Sequence, residues 1–196
     1  SDERLAEWRV VERGKAFQFN HDGITSRVRV LEENMRVLIL GGDGYLGWPT
    51  AMDFAAAGHE VMVADNYMRR NIAEATDSDA LIGAPCLSER AAIFEAVGGK
   101  PIKVRIGDLS DPEVMFGLVR EMRPDTVVHY AEQPSAPYSM RGFREARETF
   151  RNNLDVTFNC IWAVKEHAPD AHIVKLGTMG EYGTPDIDIE EGWIEI

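Results

Sequence analysis

One junction constrains this chain more than any other feature. Met35–Leu40 (MRVLIL) runs straight into Gly41-Gly42-Asp43-Gly44-Tyr45-Leu46-Gly47. A short, largely apolar run with β-branched residues, bounded by glycines, reads as a strand buried on both faces, which is the parallel-sheet signature. The glycines follow a G-x-x-G-x-x-G pattern through Gly41, Gly44 and Gly47. Such a turn reverses sharply, lets a diphosphate approach the backbone, and lets the next helix pack close to the sheet. The amides of Tyr45 and Leu46, at the start of that helix, are candidate anion donors.

The rest of the chain repeats the alternation. A helix is expected over 45–57, with Pro49 tolerable only in its first turn. Strands are expected at Glu60–Ala64, Ile102–Ile106, Thr126–Ala131 and His172–Leu176. Residues 66–88 carry loop signals, and 88–97 read as helix. Ser110 and Glu113 form a capping box with Pro112 in the first turn, so a helix should run from about 111 to 122. A long helix is expected over 143–167. Parallel strands need helical crossovers, so the fold class is α/β, a doubly wound parallel sheet of the Rossmann kind occupying residues 35–196. Residues 1–34 form an N-terminal extension that fits a capping helix, a strand pair or a flexible arm.

Composition narrows the function. With 21 Lys+Arg against 33 Asp+Glu, the net charge is −12. That argues against general nucleic-acid binding, so any anionic ligand must be held by local positive features. No apolar run approaches the roughly 20 residues of a membrane span, and the first residues show no secretory signal. Cys86 and Cys160 form no C-x-x-C pair, which suits a cytoplasmic setting or an organelle stroma. The five histidines show no ligand spacing, so no metal is expected.

Further candidates sit where strands end. Asp65 follows the second strand, 18 residues past Gly47. An acidic residue at about that distance commonly accepts from the adenosine ribose hydroxyls and favours NAD over NADP. Asn66 lies beside it, and Arg69 and Arg70 are candidates for a phosphate. Asp108 and Leu109 follow the third strand, where a carboxylate can accept from the adenine amino group. After the fourth strand come Ala131 and Glu132, read with the cofactor, and Gln133, Ser135, Tyr138 and Ser139, read with the substrate. Loops at these strand ends line the ligand crevice. Asn153 reads equally as a polar residue near the cofactor or as a buried polar residue without that role. After the fifth strand, Thr178 could donate to an oxygen whose charge changes during hydride transfer. Glu181 is a candidate acid/base, and Met179 and Tyr182 are candidate substrate contacts.

The strings GGDGYLGW, DNYMRR, GDLSD, VVHYAEQPSAPYSM, KLGTMGEYGTP and DIDIEEG together resemble the UDP-sulfoquinovose synthase family of extended short-chain dehydrogenase/reductases. The glycine turn is common to the superfamily; the AEQ-SAPYSM and TMGEYGTP strings are far more specific to this family. The resemblance covers about residues 35–196. It implies bound NAD and a UDP-glucose substrate, with Gly41, Gly44, Gly47, Asp65 and Asp108 as cofactor contacts. The course it implies is oxidation at C4, loss of water across C5–C6, addition of sulfite at C6 and reduction at C4. Thr178 is then the active-site hydroxyl and Glu181 the acid/base.

Two positions depart from the family pattern. Tyr182 has Asp186, not lysine, four residues on, so the Tyr-x-x-x-Lys pair of the superfamily is not at this place. The family carries that pair, and its sugar-binding part, further downstream. This implies a fragment, a second polypeptide or complementing C-terminal segment, or lost activity. Pro134 also stands where the family carries arginine, removing a cation that could serve sulfite. A homodimer is implied by the resemblance alone. Two other readings stay open: a related nucleotide-sugar epimerase or 4,6-dehydratase, and a catalytically silent NAD-binding subunit.

Overall fold

The computed structural model of the chain describes residues 17–21, 24–28, 34–78, 82–178 and 183. Two strands, β1 (Phe17–His21) and β2 (Ile24–Val28), pair antiparallel. Of the three forms open to residues 1–34, these segments take the strand pair.

From Arg36 the chain alternates. The elements are β3 (Arg36–Leu40), α1 (Gly47–Ala56), β4 (Glu60–Asp65), α2 (Met68–Ala75), α3 (Leu87–Ala96) and β5 (Ile102–Ile106). There follow α4 (Pro112–Met122), β6 (Thr126–His129), α5 (Ala136–Ser139), α6 (Phe143–His167) and β7 (His172–Lys175). The five strands from β3 onward form a parallel sheet in the order β5-β4-β3-β6-β7. The chain winds outward from β3 to β5, then crosses back to lay β6 on the other side of β3. Beyond the carboxyl ends of β3 and β6 the two windings diverge and leave a crevice. Register makes those ends level: Leu40 pairs with Ala64 and His129, and His129 pairs with Lys175.

Strand alternation sorts the core into two layers. Leu38, Leu40, Met62, Ala64 and Val127 pack with Met115 and Val119 of α4 and with Val156, Cys160 and Ala163 of α6. Val37, Ile39, Val61, Val63 and Val128 pack with Trp48, Ala51 and Ala55 of α1 and Leu87 of α3. Each fully buried Val, Leu or Ile contributes about 1.5–3 kcal/mol, so β3, apolar on both faces, anchors the sheet.

Two expectations are corrected. Residues 66–88 are not all loop, because α2 occupies Met68–Ala75. It buries none of its residues, so no core-facing run marks it in the sequence. The cap of α4 is Asp111 and not Ser110. Proline disfavours helical geometry in the residue before it, so Asp111 stays extended ahead of Pro112 and accepts from the Glu113 amide. The Ser110 hydroxyl instead donates to Asp108 Oδ1 (2.8 Å).

Candidate active site

The turn leaving β3 is shaped by close approach. Gly41 has φ 88°, and a Cβ there would lie 2.7 Å from the Tyr130 carbonyl carbon. A Cβ on Gly47 would lie 2.0 Å from the Gly41 carbonyl oxygen. These two glycines are demanded by the protein's own packing. Gly44 is different: a Cβ there would meet only the Gly41 oxygen, at 3.2 Å. Its missing side chain keeps clear the space above the turn. The Gly41 and Gly42 amides donate to the Ala64 oxygen at 2.8 and 3.1 Å, tying the turn to β4. Among the described residues, the amides of Tyr45, Leu46 and Gly47 donate to no protein group. Three unengaged donors at the start of α1 are of the kind that can receive an anion.

Asp65 closes the next part of the crevice. Its Oδ2 accepts from the Asp43 amide (2.8 Å) and its Oδ1 from the Tyr67 amide (2.7 Å). Burial pushes its carboxyl above the usual range, opposed by those two hydrogen bonds. Each oxygen keeps a lone pair for a hydroxyl. Asn66 lines the crevice and caps Met68 (2.9 Å). Arg70 turns away: Nε and Nη2 each reach Asp43 at 2.7 Å, and Nη1 and Nη2 reach the Ala84 and Pro85 oxygens at 2.8 Å. Arg90 of α3 also pairs with Asp43 and lies over the Trp48 ring, 5.1 Å from its centre.

The loop after β6 forms the opposite wall. The Gln133 side chain is buried, donating to Thr149 Oγ1 (2.8 Å) and accepting from the Ser135 amide (2.7 Å). The Ser135 hydroxyl caps α5, and the Tyr138 hydroxyl donates to Glu148. Glu132 accepts from Lys175 (2.9 Å), within reach of Thr157. Beneath them His129 is 1% exposed, and burial, then the Lys175 charge, push its pKa down to about 4.

These walls enclose a crevice of about 880 Å³. Of the residues singled out in the sequence, it brings together Gly41, Gly44, Tyr45, Leu46, Gly47, Asp65, Asn66, Arg69, Leu109, Ala131, Glu132, Gln133, Ser135, Asn153 and Thr178. Arg70, Tyr138 and Ser139 do not line it. Asp108 lines a smaller neighbouring hollow that shares Met68 and Asn152 with it. Met179, Glu181 and Tyr182 lie outside the described residues. Sequence reasoning missed Asp43 and Lys175. Asp43 stood inside the glycine pattern as a filler position. Lys175 is a charge in the strand HIVKL, level with His129, and that placement was its one available signal.

The sequence model of the NAD dependent epimerase/dehydratase family matches residues 37–193. Over 161 residues the chain is 44% identical to "UDP-sulfoquinovose synthase, chloroplastic" of Spinacia oleracea, spanning 82% of this chain and 33% of that protein. It is also 44% identical, over 157 residues, to the UDP-sulfoquinovose synthase of Sulfolobus acidocaldarius, covering 80% of this chain and 40% of that one. The chain thus spans two fifths or less of these relatives' length. Among solved structures, the UDP-glucose 4-epimerase of Bifidobacterium longum in complex with NAD+ and UDP superposes with a TM-score of 0.60. It has 25% identity and covers 78% of this chain and 39% of that one. The parallel sheet, the glycine turn at its switch point and this match over most of the chain lead to one conclusion: the chain belongs to the NAD dependent epimerase/dehydratase family.

Proposed function

We propose that the chain supplies the NAD-binding part of a nucleotide-sugar enzyme whose reaction resembles UDP-sulfoquinovose formation from UDP-glucose and sulfite. The observation that carries this is the seat at the glycine turn. Its three amides are unengaged, and at Gly44 a Cβ would meet only one protein atom, the Gly41 oxygen at 3.2 Å. The 44% identity to two UDP-sulfoquinovose synthases supports the substrate class.

In this reading the amides of Tyr45, Leu46 and Gly47 hold the diphosphate, and Asp65 accepts from the ribose. NAD, when bound, supplies hydride chemistry. The chain's own residues do the rest. Thr178, at the carboxyl edge of β7, offers a hydroxyl to the sugar oxygen whose charge changes at C4. A C4 ketone acidifies the C5 proton, so water can leave across C5–C6 and sulfite can add at C6. Glu181 is the acid/base of that exchange. The Lys175–Glu132 pair holds a fixed cation at the crevice wall. The exposed face of α6, with Phe150, Leu154 and Phe158, suits a second copy or a complementing segment.

Pro134 lines the crevice where the family resemblance places an arginine. That favours, as a second reading, an epimerase or 4,6-dehydratase that needs no sulfite. Incubating the active protein with UDP-glucose, with and without sulfite, separates the two. A sulfonated product that appears only with sulfite supports the first. UDP-galactose or a 4-keto-6-deoxy sugar rejects it. In the same assay Thr178→Ala should keep NAD affinity and slow turnover by roughly 10²–10³-fold.

A further inference from the structure

Asp43 occupies the second variable place in the glycine turn, and the turn itself does not need a charge there. Its carboxylate is only 7% exposed and is gripped from two helices, by Arg70 of α2 and Arg90 of α3. Arg70 uses four donors in this arrangement: two on Asp43, one each on the Ala84 and Pro85 oxygens. A guanidinium carries five N–H donors in a fixed fork, so Arg70 has almost nothing left for a ligand. The Asp43 amide, meanwhile, donates to Asp65. One residue therefore ties the ribose-side carboxylate to two arginines, the largely buried Arg90 and the half-exposed Arg70. Asp43 and Asp65 balance Arg70 and Arg90, so the cluster is neutral overall.

We infer that Asp43 is a specificity-determining residue: by engaging Arg70 and Arg90 it withholds from a ribose 2′-phosphate two of the three nearby arginines, leaving Arg69 alone on the crevice lining. The inference rests on the reading of this crevice as a dinucleotide site. Asp65 alone disfavours a 2′-phosphate by repulsion. Asp43 adds a second barrier, because the phosphate would have to displace a bidentate carboxylate from an arginine already oriented by two carbonyls. Asp43 is a positioning residue here, acting through the arginines.

The test is direct binding of NAD and NADP, by calorimetry, to the full chain and its variants. Asp43→Asn keeps the backbone amide to Asp65 and removes the charge. It should tighten NADP by roughly 10-fold or more, the value of one charge-assisted hydrogen bond, with a much smaller change for NAD. Arg90, 13% exposed with Nε lacking a partner among the described residues, would be left buried without its anion. Asp43→Asn/Arg90→Met removes that stress and should show the same gain if the single variant does not fold. Adding Arg70→Met should abolish the gain. A purely structural Asp43 would weaken both cofactors together. NADP affinity that ignores Asp43 while NAD still binds would overturn the inference alone. An unsubstituted chain that binds no NAD would overturn the dinucleotide reading beneath it.

Discussion

Asn153 and Gln133 bond to each other in both directions. The Gln133 amide donates to Asn153 Oδ1 at 2.8 Å, and Asn153 Nδ2 donates to the Gln133 oxygen at 3.2 Å. One side chain on α6 thereby completes both backbone groups of a residue in the loop after β6. Asn153 thus supports the crevice wall as well as lining it. Asn153→Ala should cost about 1–3 kcal/mol, the size of leaving partly buried backbone groups unpaired. Urea denaturation measures this. Calorimetry of the same variant should show weaker NAD binding as the loop loosens.

The α4 cap gives a paired test. Asp111→Ala should lower stability by about 1 kcal/mol, the usual value of an N-cap. Ser110→Ala should cost clearly less, since its hydroxyl serves Asp108. Melting temperatures of the two variants rank them directly, and the reverse order would restore Ser110 as the cap.

Much of the fold is legible in the sequence because β3, β4 and β6 are buried on both faces and carry apolar residues through their middles. The helix over 143–167 is read to the residue, since it presents a buried stripe through Val156, Cys160 and Ala163. Illegible elements are those whose order comes from polar contacts. α2 has no buried residue, and its start is set by Asp65 and Asn66 accepting from the Tyr67 and Met68 amides. The site follows the same division. Gly41, Gly47 and Asp65 are visible because strand ends fix their places. The turning of Arg70 onto Asp43 is not, because it depends on the Ala84 and Pro85 oxygens of the segment ahead of α3.

His129 makes stability depend on pH. Its Nδ1 has no partner among the described residues, and its pKa is about 4 in the folded chain against 6.5 ordinarily. A depressed histidine pKa means that the unfolded chain binds the extra proton first. The stabilisation from neutral His129 is complete above about pH 6.5 and is lost as pH falls toward 4. At 1.36 kcal/mol per unit the loss is about 3 kcal/mol. Urea midpoints from pH 7 to pH 4.5 should fall more steeply for the parent than for His129→Gln. Parallel curves would remove His129 from the account.

The central claim is that the turn after β3 seats a dinucleotide's diphosphate, and Gly44 isolates it. Calorimetric titration of NAD into the unsubstituted chain and into Gly44→Val, with melting temperature recorded for both, is the most direct measurement. The account predicts saturable binding by the parent and none by Gly44→Val at a melting temperature that shows it folded; a Cβ there meets one protein atom, the Gly41 oxygen at 3.2 Å. Equal NAD affinity in both, or no binding by a folded parent, would contradict it.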